Sequence, residues 1–157
     1  MAAAVTLSLE VQNASDTDSP LEEQLRAWVM ETVGDTRGDV ELVIRIVDAA
    51  ESRELNRNYR HRDRPTNVLS FPFEAPPEVV SDLLGDLVIC APVVVREAAE
   101  QGKALEAHWA HMVVHGVLHL MGHEHQNDRE AAAMEDRERK ILSGLGFPDP
   151  YPIDEDE

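Results

Sequence analysis

The sequence predicts a single α+β domain, a small mixed sheet of about four strands packed with about five helices. Three observations carry that expectation. The chain has 157 residues, the size of one domain, and 43% of them are hydrophobic, enough to build a sizeable core. Alternating and β-branched stretches interleave with helical ones in the order β-α-β-α-β-β-α-α-α, with no internal repeat and no linker that marks a domain boundary. The longest run free of polar side chains, Leu87 to Val95, contains Pro92 and falls far short of the ~20 residues that span a bilayer.

Val5, Leu7, Leu9 and Val11 alternate with Thr6, Ser8 and Glu10, which is the period of a half-buried first strand. Ser19-Pro20-Leu21-Glu22 offers an N-cap, a proline at the first helical position and an acid three residues after the cap. The helix that follows is expected to bury Leu21, Leu25, Trp28 and Val29. Gly34 and Gly38 bracket a turn into Val40 to Val47, a β-branched strand expected at the centre of the sheet. Asp48 caps a short helix through Tyr59, and Thr66 to Phe71 reads as a third strand stopped by Pro72. Pro76-Pro77 marks an exposed loop. A fourth strand, Asp86 to Cys90, is entered from Gly85, and Pro92 opens a helix that ends near Gly102. Ala104 to Met121 is the longest apolar helical segment, stopped by Gly122. Asn127 or Asp128 caps a strongly charged helix to about Leu142, ended by Gly144 and Gly146, and residues 149–157 read as a flexible acidic tail.

Charge and cysteine content narrow the function. Lys and Arg number 14 against 31 Asp and Glu, a net charge of −17, so the summed field repels polyanions at long range. One stretch runs the other way: Arg53, Arg57, Arg60, Arg62 and Arg64 stand against Glu54 and Asp63, a local 5 − 2 = +3. Paired with those acids they form a solvated helix face, the expected state of Arg57 and Arg62. Cys90 is the only cysteine, which excludes an intrachain disulfide and a cysteine zinc ribbon. A metal must be held by histidine or carboxylate. The N-terminus has no basic segment and meets Glu10 early, so no secretory leader is expected and the protein reads as cytoplasmic, without a membrane partner.

The sharpest chemical feature is His115-Gly116-Val117-Leu118-His119-Leu120-Met121-Gly122-His123-Glu124-His125. His115 and His119, at i and i+4, have Cβ atoms about 6 Å apart on one helix face, and two imidazoles so placed can reach one zinc ion. Gly122 permits the turn that could bring His125 to the same metal. Three neutral ligands leave a fourth position open, the layout of a catalytic zinc site. His108 and His111 continue the same stripe and read as packing residues or as supports for the ligands. Glu124, Asp86 and His111 are candidates to hydrogen-bond and orient the ligand rings, with a turn or cap role the alternative for Asp86. The spacing also matches metzincin proteases, but those carry a glutamate base where this chain has Gly116, and only Glu124 could replace it.

These eleven residues resemble the signature of the YbeY endoribonucleases, His-Gly-x-Leu-His-Leu-x-Gly-Tyr-Asp-His, with His123 for the tyrosine and Glu124 for the aspartate. An upstream block, Asn56 to Pro72, is similar to the family's as well, with Asn67 where many members have Asp, and Gly85-Asp86-Leu87-Val88-Ile89 matches a third block. The resemblance implies zinc on His115, His119 and His125, and Arg60 as the arginine of the substrate cleft. It implies a single-strand-specific endoribonuclease acting in small-subunit rRNA maturation and ribosome quality control. Its expected partners are single-stranded RNA and the small ribosomal subunit with its proteins, not DNA. Independently, a cleft arginine can grip a phosphate and offset charge developing on its oxygens.

Two routes of cleavage stay open: direct attack of water on phosphorus, or attack by the adjacent 2′-hydroxyl that leaves a 2′,3′-cyclic phosphate. A different reading is a ribosome-associated assembly factor whose metal is mainly structural. The charge of −17 favours protein-directed binding and contact with basic ribosomal proteins. A zinc hydrolase of small molecules has no support beyond the metal motif. Because imidazole must be neutral to bind metal, zinc affinity, measured by competition with a chelator, is expected to fall as pH drops below roughly 6.5.

Overall fold

A computed structural model describes residues 6–34, 39–73, 82–122 and 127–151. The elements are β1 (Thr6–Asn13), α1 (Glu22–Val33), β2 (Asp39–Val47), α2 (Ala49–Arg60), β3 (Val68–Pro72), β4 (Leu83–Cys90), α3 (Ala91–Gln101), α4 (Leu105–Leu120) and α5 (Asp128–Gly144). This is the predicted order. The four strands form one mixed sheet, β1-β2-β4-β3, in which β1-β2 and β2-β4 are parallel and β3-β4 is antiparallel. The expected central strand, β2, is an interior one, and β3 lies on an edge.

Alternation along the strands divides the apolar residues between two faces. Leu7, Leu9, Val40, Leu42, Ile44, Ile46, Leu87 and Ile89 meet α1 and α4 in the larger core, together with Trp109, Val113 and Val117. Val47, Leu69, Val88 and Cys90 form the smaller core on the opposite face with Val93, and Leu55 of α2 packs against it. Helix α4 is buried around most of its circumference, which explains why its sequence is apolar almost throughout.

Several boundaries differ from expectation. Helix α1 begins at Glu22 with Leu21 as N-cap, because the Gln24 side chain accepts from the Leu21 N–H at 2.9 Å, while Ser19 instead receives Asn13. Leu21 is consequently 68% exposed, not core. Asp48 precedes α2, but its carboxylate receives the Ser15 hydroxyl and the Asp16 N–H instead of capping the helix. Strand β3 starts two residues later than expected. Strand β4 starts three residues earlier, at Leu83, because a bulge opposite Glu41 and Leu42 carries the pairing through Gly85. Gly85 has φ +143°, and a Cβ there would lie 2.2 Å from the Phe71 carbonyl oxygen. At the other end of the sequence, Asn127 caps α5 by accepting from Glu130 N–H at 2.9 Å. The expected features at Val5, Gly38, Pro76-Pro77 and residues 152–157 lie outside the described residues. The start of the expected flexible tail is held: Asp149 accepts from Arg139 at 3.1 Å and from Tyr151 N–H at 2.8 Å.

Helix α4 is seated on the sheet through Gly116. A Cβ there would come within 2.7 Å of a Leu87 methyl and 3.3 Å of Val68. A glutamate at this position, as in metzincins, would have to displace the Leu87 side chain. Gly116→Val is expected to destabilise the fold by about 1–3 kcal/mol through overpacking, read as a lower urea midpoint.

Candidate active site

Helix α4 places His115 and His119 on one face, as their spacing requires, with ring centroids 4.7 Å apart and planes at 75°. Both line a cleft of about 400 Å³ whose other wall is the edge strand and its approach: Asn67, Val68, Leu69, Ser70 and Pro72, with Arg60. The sequence separates these groups widely, and the fold brings them to one opening.

Arg60 reaches the cleft because the segment between α2 and β3 is bound to α2. Ser52 Oγ donates to the Thr66 carbonyl at 3.1 Å and accepts from Thr66 N–H at 2.9 Å, and Asn56 donates to the Arg64 carbonyl at 2.8 Å. Arg53 makes a two-bond pair with Asp63 at 2.7 and 3.0 Å, so that part of the basic stretch is a solvated ion pair. Its Asp63 partner is held below the usual carboxylate range by the Arg53 hydrogen bonds. Arg60 itself ends α2, donates to the outward carbonyl of Ser70 at 2.9 Å, and sits 5.6 Å from the Phe71 ring centre.

Behind the histidines lies a buried carboxylate. Glu138, fully buried on α5, accepts from His115 Nδ1 at 2.7 Å and from the Tyr151 hydroxyl at 2.8 Å, with His111 Nε2 3.4 Å away. His111 Nε2 also lies 3.0 Å from the Tyr151 oxygen. Burial alone pushes the Glu138 carboxyl up, but its interactions with His111 and His115 outweigh burial and bring the group down to about 2. Burial and the adjacent Glu138 raise Tyr151. A second network runs from the cleft to α3: Asn67 donates to Glu97 at 3.0 Å, and Glu97 also meets His108 Nε2 at 3.0 Å. Burial lowers the His108 imidazole, and the hydrogen bond with Glu97 only partly offsets it.

The two described histidines suit a transition metal. They are adjacent on the cleft wall, and Nδ1 of His115 is taken by a carboxylate, the arrangement that orients metal-ligating imidazoles through Nε2. Among the described residues no group of three His, Cys, Asp or Glu side chains is arranged to hold a metal, and the third expected ligand, His125, lies outside them, as do His123 and Glu124. Of the expected supports, His111 contacts Glu138, whereas Asp86 does not join the site. It is exposed and alternates with Leu87, which faces α4, so it points to the opposite face of the sheet. Glu138 and Tyr151 were not legible as site residues. Glu138 hides among the charges of α5, and its one signal is its place between Met134 and Ile141 on the helix's buried stripe.

A family model described as endoribonuclease YbeY matches residues 10–146. An endoribonuclease YbeY from Pseudomonas putida (strain W619) is 55% identical over 152 residues, covering 96% of this chain and 97% of its own. The solution structure of a protein from Thermotoga maritima is similar with a TM-score of 0.63 at 30% identity, over 87% of this chain and 88% of that one.

The folded Glu138 carboxyl is depressed from 4.5 to about 2, so its contribution to stability is full above the unfolded value and is lost as pH falls through the folded one. Between those two pH values the wild type is expected to lose more thermal stability than Glu138→Gln, measured by melting each protein at a series of acid pH values.

Proposed function

The chain belongs to the YbeY endoribonuclease family, and from that premise we propose that it is a zinc-dependent endoribonuclease that cuts single-stranded RNA in small-subunit rRNA maturation and ribosome quality control. The observation that carries this reading is the shared cleft: His115 and His119 on one wall and Arg60 at the other border the same space of about 400 Å³. A hydrolase acting on RNA phosphodiester bonds needs such a pairing of a metal-binding wall with a fixed cation.

His115, His119 and His125 would hold one zinc ion. When bound, it supplies positive charge to the phosphodiester and acidifies water. The remaining work falls to the chain. Arg60, steadied by the Ser70 carbonyl and the Phe71 ring, presents guanidinium donors to a non-bridging phosphate oxygen and offsets the charge that grows there. Asn67, fixed by Glu97, and the edge of β3 line the path of the strand. A cleft of about 400 Å³ bordered by α4 and an edge strand suits one extended strand better than a duplex. Glu138 holds the His115 ring in place.

The acidic chain is directed to its substrate by contacts with basic proteins of the small ribosomal subunit, in the cytoplasm, and not by general affinity for nucleic acid such as DNA. Among the described residues no helix is long and apolar enough to cross a membrane.

The test is cleavage of a labelled rRNA fragment by wild type, Arg60→Ala and His119→Ala purified in parallel. Wild type is expected to cut, and each variant to cut at least roughly 100-fold more slowly, the size of effect seen when one transition-state donor is removed. Equal cutting by all three would point to a contaminant. No cutting by any would favour an assembly factor whose metal is structural.

A further inference from the structure

We infer that Glu138 is a positioning residue for the metal ligand His115: its buried carboxylate fixes the ring proton on Nδ1 and so presents Nε2 as the ligating nitrogen. The inference rests on the metal-centre reading and deepens it.

The assignment follows from counting protons. An ionised carboxylate only accepts, so the 2.7 Å contact requires His115 to carry its proton on Nδ1. Tyr151 has one hydroxyl proton, which the second carboxylate oxygen receives at 2.8 Å. The Tyr151 oxygen must then accept from His111 Nε2 at 3.0 Å, which puts the His111 proton on Nε2 and leaves its buried Nδ1 without a hydrogen-bond partner. The Glu138 carboxylate is the anion of this cluster. That charge lies behind His115, on the side away from the cleft. His115 forms part of both walls: it lines the cleft, and with Glu138, Tyr151 and Met134 it lines a smaller cavity behind it.

The geometry also explains why residue 151 is held. Tyr151 completes the hydrogen bonding of Glu138, its ring stands edge-on to His111 at 5.2 Å, and Arg139 lies 5.5 Å from its centre. Without the tyrosine hydroxyl, the second oxygen of a fully buried carboxylate loses a donor, and the first is freer to turn away from His115. Tyr151 is thus a support for Glu138, and Glu138 for His115. A carboxylate on the far nitrogen of a ligating imidazole fixes its tautomer and makes it a better donor, and loss of such a partner typically weakens metal binding 10- to 100-fold.

The experiment uses the full chain as wild type, Glu138→Gln and Tyr151→Phe. Zinc affinity is measured by competition with a chromophoric chelator, and the tautomer of His115 is read in the metal-free proteins from imidazole nitrogen chemical shifts. Circular dichroism checks that each variant is folded. In wild type His115 is expected to be protonated on Nδ1 alone. Glu138→Gln, whose amide both donates and accepts, is expected to give a mixture of tautomers and zinc binding about 10- to 100-fold weaker. Tyr151→Phe, which leaves the Glu138 carboxylate beside His115 but less firmly held, is expected to keep the tautomer and lose less affinity than Glu138→Gln. A His115 proton on Nε2 in wild type, or zinc affinity in Glu138→Gln within twofold of wild type, overturns the inference. If wild type takes up no zinc, the metal-centre reading fails, and the tautomer of His115 in wild type and Glu138→Gln still decides whether Glu138 positions that ring.

Discussion

The distance between α4 and the sheet governs the rest of the molecule. At Gly116 the helix packs directly on the side chains of Leu87 and Val68, and an added Cβ would press to within 2.7 Å of a Leu87 methyl. That contact does two things at once. It buries the most apolar helix against the centre of the larger core, and it sets His115 and His119 beside the edge strand, where a cleft forms between helix and sheet. A longer side chain would force Leu87 and Val68 aside and disturb the core beneath the cleft. Stability and site geometry therefore share one contact.

The opposite wall depends on hydrogen bonds more than on packing. Helix α2 has few buried positions, Ser52 and Asn56 among them, and both spend their side chains on the backbone that leads to β3. Among the described residues strand β3 pairs on one side only, and on its outer side the Ser70 carbonyl takes Arg60. An arginine held at both its guanidinium and its ring contact has less conformational freedom to lose when it meets a phosphate.

Electrostatically, the site is organised around one anion. Glu138 would be costly to bury alone, and it is tolerated because His115 and Tyr151 donate to it and His111 borders it. The same bonds tie α4, α5 and the segment after α5 into a unit. The neighbouring Asn67, Glu97 and His108 network repeats the pattern on the other side of the histidine stripe, joining α3 to the start of β3. Of the four histidines of α4, His119 and His115 face the cleft, while His115, His111 and His108 join the helix to its neighbours.

Local pattern determined the element order, the mixed sheet and the pairing of His115 with His119, because alternation and an i, i+4 spacing are written in consecutive residues. Motif resemblance pointed to Arg60 as well. Boundaries were less legible where a side chain made a distant bond in place of the local one: Asp48 turned to Ser15, and Gly85 served a bulge inside β4 instead of its start. Asp86 looked suited to the histidines by its place in the sequence, yet strand alternation turned it to the other face. Glu138 and Tyr151 carried almost no sequence signal, since an acid within a charged helix looks solvated until packing removes the water. The sequence by itself determined which segments are strands and helices and which two imidazoles stand together. Only the tertiary structure decided which carboxylate lies behind them and set Arg60 across the cleft from them, because those partners meet through burial and long-range packing that no local periodicity encodes.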